Sequence, residues 1–280
     1  MTSQTYQLAV LLLLSACDAA PNKPPTGPVA TVEVTTNADS TRTVARKVNG
    51  MLEGRTLVYR TSGAIAAVLY FHRDSAEGIQ RLFHPNGQLM SWQQVHRGQR
   101  HGKSYDFLAN GALLHIEHFN RGQRTGRNKW FYEHPRNQLH TEVELLTVAG
   151  KEWQNGYAEY DTLGRLVART GFPQAHAESD TVSLGDSLTL QLRVPYPEHP
   201  LVAVVTGDFD AEFRLRNPAS LRRQMGRNHA TTIRVPAVRR GWQVARGYLA
   251  DFQESKPGSS SRRHGGSGQR LYFAYPYFVR

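Results

Sequence analysis

Apolar, aromatic and glycine positions recur along this chain with a step of 24 residues. Gly54, Gly78, Gly102 and Gly126 open successive units, and Tyr59, Phe83, Phe107 and Phe131 fill one aromatic slot within them. The turn glycines Gly63, Gly87 and Gly111 and the apolar Ile65, Leu89 and Leu113 keep the same step. A fixed period of this length marks an array of like supersecondary units. In each unit two strand-like runs flank Thr61-Ser62-Gly63, Pro85-Asn86-Gly87 or Ala109-Asn110-Gly111. Asn-Gly signals a tight hairpin, and a type I′ turn is expected because both residues tolerate positive φ. The units therefore read as β-hairpins, stacked over 50–172 into an elongated antiparallel meander in which each contacts chiefly its neighbours. The fourth unit runs long and places Arg136-Asn137 where Asn-Gly is expected, so a bulged or looped edge is expected there.

From about Asp180 the period vanishes. Leu188, Leu190, Leu192 and Val194 alternate with Thr189, Gln191 and Arg193, the two-residue period of a half-buried strand. Further strands are expected at 201–206, 212–216, 231–235, 242–252 and 270–278, with a single helical turn at 219–225. Short strands punctuated by Pro and Gly suggest a β-sandwich over 180–280, so the expected fold class is all-β throughout. The Ser/Gly-rich stretch 256–268, with Arg262, Arg263 and His264, reads as a mobile loop.

The N-terminal pattern is different in kind. Residues 8–16 are apolar or small and run directly into Cys17, the only cysteine in the chain. Such a stretch is too short to span a bilayer but fits the apolar region of an export signal. Leu14-Ser15-Ala16-Cys17 resembles the lipobox of bacterial lipoproteins. The resemblance implies a signal peptide over 1–17, cleavage before Cys17 and acylation of that residue. Several acyl chains on one residue exceed what stable anchoring requires. The Pro- and Thr-rich stretch 18–49 is expected to be a flexible tether.

Charge narrows the partners. The chain holds 34 Lys and Arg against 23 Asp and Glu, a net +11. Residues 180–280 hold 15 basic and 8 acidic groups, so an acidic partner is favoured there. The basic residues are dispersed through strands and turns with no nucleic-acid-binding signature, so nucleic acid is not the expected partner.

Candidate chemistry is sparse. Gly185-Asp186-Ser187-Leu188 copies the letters of the GDSL esterase motif, but a strand-like alternation follows and no Asp-x-x-His pair comes after it. A turn leading into a strand is the better reading. His72 and His96 occupy equivalent positions one hairpin apart, roughly 9–10 Å at two strand spacings, too far for two imidazoles to share one metal. His115 and His118 fall on opposite faces of a strand. No Walker loop, no dinucleotide fingerprint and no His-Glu-x-x-His occurs, so no cofactor, metal or catalysis is expected. The aromatics Tyr59, Phe83 and Phe107, with Trp92, read first as a core shared along the stack and second as a strip on which a ligand could stack.

The repeat itself resembles the MORN type in its bacterial variant form, most fully in residues 102–126 (GKSYDFLANGALLHIEHFNRGQRTG). That resemblance covers about 54–172 and implies stacked hairpins with scaffold functions near membranes. It includes a YwqK-like group described as antitoxins of toxin–antitoxin pairs. Together these features lead to a non-enzymatic lipoprotein of the cell envelope, at the outer membrane and facing the periplasm or the surface. Its repeats are expected to bind a protein or an envelope ligand. An antitoxin is the alternative.

Overall fold

The computed structural model describes residues 5–7, 28–134, 137–194, 201–227, 230–252 and 270–280. All regular structure among them is β-strand. Cys17 and the stretch 256–268 lie outside the described residues. The chain is an antiparallel meander of stacked hairpins followed by a sandwich. It divides into two compact units, Met1–Gln123 with Phe131–Asn137, and Arg124–Trp130 with Gln138–Arg280.

The first unit contains β1 (Thr5–Gln7), β2 (Ala30–Thr36), β3 (Arg42–Val48), β4 (Met51–Tyr59) and β5 (Ile65–His72). It continues through β6 (Ser75–Ala76), β7 (Gly78–Phe83), β8 (Leu89–His96), β9 (Gln99–Phe107) and β10 (Leu113–Asn120). Each strand pairs antiparallel with the next in sequence, except that β6 sits beside β5 and β7 takes the following place. The stretch expected to be a tether is therefore partly sheet. Residues 30–36 and 42–48 form a hairpin in full register from Ala30↔Val48 to Thr36↔Arg42. The reason is local: Ala30-Thr-Val-Glu-Val-Thr-Thr36 is rich in β-branched residues, and this outweighs its Pro-rich surroundings.

Two turn types alternate along the meander, and Asn86-Gly87 and Asn110-Gly111 are not of the expected type I′. At Gly63, Gly87 and Gly111 only the glycine has positive φ. Gly87 N–H donates to His84 O and His84 N–H to Gln88 O, which makes a type I turn closed by a left-handed glycine. Asn86 stays at negative φ, and its Oδ1 accepts from Gln88 N–H. The two-residue turns with both φ positive lie at the other end of the hairpins, at Asn49-Gly50, Arg73-Asp74, Arg97-Gly98 and Arg121-Gly122. A bulge follows every three-residue turn: Phe83↔Leu89 gives way to Leu82↔Ser91, and Phe107↔Leu113 to Asp106↔His115.

The second unit holds the last hairpins, in β12 (Gly126–Phe131, following the short β11, Gln123–Arg124), β13 (Leu139–Val148), β14 (Lys151–Tyr160) and β15 (Leu166–Gly171). It then forms β16 (Gln174–His176), β17 (Thr181–Val182), β18 (Ser187–Arg193), β19 (Leu201–Phe209) and β20 (Leu215–Arg227). The chain ends in β21 (Ala230–Pro236), β22 (Gly241–Phe252) and β23 (Arg270–Val279). The helical turn expected at 219–225 is absent, since those residues lie inside β20. The strand expected at 212–216 begins only at Leu215, because Asp210–Arg214 make a tight turn.

These last strands form one sheet in the order β16-β18-β21-β20-β19-β22-β23-β17, with β17 parallel to β23. The sheet folds over so that β16 lies against β23 and β17 against β18. Both halves of the sandwich thus belong to a single sheet. The alternation of β18 predicts its filling: Leu188, Leu190, Leu192 and Val194 point inward to Val202, Val204, Ile233, Leu249, Leu271 and Phe273. Fully burying each such side chain contributes about 1.5–3 kcal/mol. A second cluster, Phe209, Phe213 and Tyr272 with Leu146, Val148 and Trp153, packs β13 and β14 on the outside of this sheet.

Candidate binding face

Register places the candidate residues of the first unit on one face. Val34, Val44, Leu57, Val68, Arg81, Trp92, Tyr105 and Ile116 lie opposite one another in turn, strand by strand. Directly opposed residues share a face, so this is one continuous cross-strand row. Tyr59, Phe83 and Phe107 stand two residues beyond Leu57, Arg81 and Tyr105 and by alternation share it. Every member of both rows is half-buried. The Trp92 and Tyr105 rings meet edge to face at 5.4 Å, and the Arg42 guanidinium lies 4.9 Å from the Tyr59 ring centre.

The aromatics do not make the enclosed core expected of them. Among the described residues both buried apolar clusters lie in the second unit. The opposite face of the meander explains why. Most of its buried positions carry small or polar side chains shaded by longer neighbours, Ala45, Thr56, Ala67, Gln80, Ser91 and Ser104, with Val95 and Phe119 as larger apolar exceptions. A single layer of sheet has no second layer against which to close a core.

Hydrogen bonds at both hairpin ends hold this layer in place of a core. At the three-residue turns, Arg60 Nη2 donates to Phe83 O, and His84 Nε2 lies 2.8 Å from Phe107 O. Asn86 Nδ2 donates to Ala109 O at 2.6 Å. At the two-residue turns, Glu53 accepts from Arg73 N–H at 3.0 Å and meets His72 Nδ1 at 3.1 Å. Glu77 repeats this with Arg97 N–H at 2.9 Å and His96 Nδ1 at 2.8 Å. The backbone N–H bond, then the histidine, holds each carboxyl below the ordinary glutamate value of 4.5. His72 and His96 are thus turn clamps, one per unit. Among the described residues no group of three or more His, Cys, Asp or Glu could hold a metal.

Gly54, Gly78, Gly102 and Gly126 all have positive φ within strands. At Gly102, with φ of 92°, the Gln94 amide folds over the Cα and accepts from Lys103 N–H at 3.0 Å, so a side chain there would have to displace it.

One periodic position escapes a search for aromatics. Thr56, Gln80, Ser104 and Asn128 stand 24 apart and are all at most 4% exposed. Gln80 shows what one of them does. Its Oε1 accepts from Tyr70 N–H at 2.9 Å, and its Nε2 donates to Tyr70 O at 3.0 Å, replacing a missing rung between β5 and β7. The signal was the same period, carried by polar rather than apolar letters. Gly185 and Asp186 form a turn and Ser187 opens β18, so the GDSL letters mark a strand entry.

No family model matches the chain, and no curated protein matches it.

Proposed function

We propose that the chain is a lipid-anchored protein of the cell envelope whose hairpin array, a MORN-variant set, serves as a binding scaffold. The observation that carries this reading is the row Val34–Ile116 on one face of a single-layered sheet, with the Trp92 and Tyr105 rings in contact within it. Half-buried aromatic and aliphatic groups in register offer area to a partner at little cost in side-chain entropy. Arg81, set among them, supplies a planar donor array for a partner carboxylate or carbonyl. The partner that fits is an extended protein segment lying across the strands, and the acylated Cys17 would keep the array at the membrane surface.

The anchor is tested by metabolic labelling with a fatty-acid analogue in a bacterial host. Label is expected on the wild type and lost in Cys17→Ser; label retained by the variant removes the anchor. The face is tested by placing a photoreactive phenylalanine analogue at Trp92, Tyr105 or Gln93 in the same cells. A discrete cross-linked product is expected from the first two positions and not from Gln93, which lies on the other face. Equal yields from all three would refute the assignment of the face.

A further inference from the structure

One end of the second unit gathers exposed apolar groups and cations. The turn 183–186, the turn 237–240 and the end of β23 are tied together there by backbone hydrogen bonds. Leu184 N–H donates to Arg280 O, Gly185 N–H to Ala237 O and Ala237 N–H to Asp186 O. Rigid backbone thus presents Val238 at 82% exposure, Trp242 at 71% and Leu184 at 45%. Trp242 is held in place by Phe278, edge to face at 5.5 Å, and Val244, beyond it on the same face of β22, is exposed too. Side chains this large, held out on turns and a strand start, are the kind of apolar patch that marks an interaction site.

The charged groups beside them are mainly cationic, against Asp186 in the same turn. Arg239, Arg240 and Arg280 are exposed at the same end, and none pairs with a carboxylate of a described residue. Next to them lies an open crevice of about 560 Å³ lined by Thr181, Ser183, Asp186, Ser187, Arg234 and Arg280, so two guanidinium groups face one carboxylate there. Its hydroxyls and two guanidinium groups suit a phosphate ester, for which arginine offers paired donors.

We propose that this end of the second unit is a docking tip for anionic phospholipid headgroups. Trp242, Val238 and Leu184 enter the headgroup layer, where indole is favoured, and the arginines meet lipid phosphates. The crevice seats one phosphodiester between Arg234 and Arg280. Charge complementarity selects this partner over a neutral protein surface, because each cation near an anionic bilayer strengthens attachment. The inference deepens the envelope reading by giving the folded part its own contact with the bilayer, and it does not need the acyl chain.

The test uses the full-length Cys17→Ser chain, which carries no lipid, with vesicles of phosphatidylcholine alone or containing phosphatidylglycerol. Co-sedimentation is expected only with the anionic vesicles, with a blue shift in tryptophan emission that Trp242→Phe removes. Arg239→Gln and Arg240→Gln should each weaken binding about fivefold, and Trp242→Ala about tenfold. Val238→Asp is a further variant, at an exposed turn where folding is not at stake, and circular dichroism checks all five. No binding, equal binding to neutral vesicles, or unchanged binding by the variants overturns the proposal. Retention on an acidic polysaccharide without vesicle binding also overturns it and reassigns the patch to a glycan. A wild type that is acylated and membrane-bound beside a Cys17→Ser chain that ignores vesicles sinks the tip alone. An unlabelled wild type beside a vesicle-binding variant sinks only the anchor.

Discussion

Asn155 offers the sharpest test of how the last hairpins are joined to the C-terminal sheet. Its side chain is 1% exposed and takes the place of a strand along the open edge of β23. Oδ1 accepts from Tyr272 N–H at 2.5 Å, while Nδ2 donates to Tyr272 O at 2.9 Å and to Glu144 Oε2 at 2.6 Å. A hydrogen bond contributes about 1 kcal/mol net, but a buried group left without a partner costs about 1–3 kcal/mol. Asn155→Ala strands two backbone groups of Tyr272, so a loss of about 3–4 kcal/mol is expected. For a unit of this size that is a fall of roughly 10 °C in melting temperature. Thermal unfolding by circular dichroism measures it, and hydrogen exchange at the Tyr272 amide locates it. Asn155→Leu keeps the volume and loses the bonds, so it should cost nearly as much as alanine. Near-wild-type stability in the leucine variant, with the Tyr272 amide still protected, would show that filled space rather than the amide joins the two parts.

Other consequences can be measured on the same footing. Gly102→Ala should destabilise by about 2 kcal/mol, from positive φ and displacement of Gln94, and Gly78→Ala by only about 1 kcal/mol, since its Cβ would meet only Tyr70 Cβ, at an ordinary 4.0 Å; equal losses in denaturant titration would refute the role given to Gln94. Glu77 has a depressed folded-state pKa, so its contribution is complete above the ordinary 4.5 and is lost as the pH falls below it. The melting-temperature gap between wild type and Glu77→Gln should therefore close as the pH drops through that range, and a gap independent of pH would remove the clamp. Leu190→Ala, at 0% exposure in the sandwich core, should cost about 3 kcal/mol, and a loss below 1 kcal/mol in urea unfolding would mean that the core closes around the gap.

What the sequence made legible was the local grammar. Gly54, Gly78, Gly102 and Gly126 mark equivalent backbone positions, and the alternation from Leu188 to Val194 gives both the strand and its inward face. Turn type was not legible, because Asn-Gly satisfies a two-residue type I′ turn and a three-residue turn equally well. Only the bond from Gly87 N–H to His84 O decides between them. The hairpin at 30–48 was hidden by composition, since Thr and Pro read as linker until strand pairing is considered. Thr56, Gln80, Ser104 and Asn128 kept the period openly, but polar letters do not announce burial. β20 resembled a helical turn at Ala219–Met225 because a strand paired between neighbours needs no period of its own once tertiary context supplies it. The link from Asn155 to Tyr272 spans 117 residues and leaves no local mark at all.

The contrast between the two units bears on how a partner would be felt. In the second unit, side chains such as Leu188, Leu190 and Leu192 are already withdrawn from water, so covering its interior adds nothing. In the first, the row from Val34 to Ile116 keeps part of its apolar area exposed, and end clamps do the work that a core does elsewhere. A partner lying along that row would complete the burial, at about 1 kcal/mol for each half-covered side chain. Binding to the folded state alone raises stability in proportion to the logarithm of partner concentration over its dissociation constant. Occupancy of the face should therefore slow hydrogen exchange across β4–β10 and leave β18–β23 unchanged. Protection appearing in the second unit instead would mean that the meander spaces the recognition surface rather than forming it.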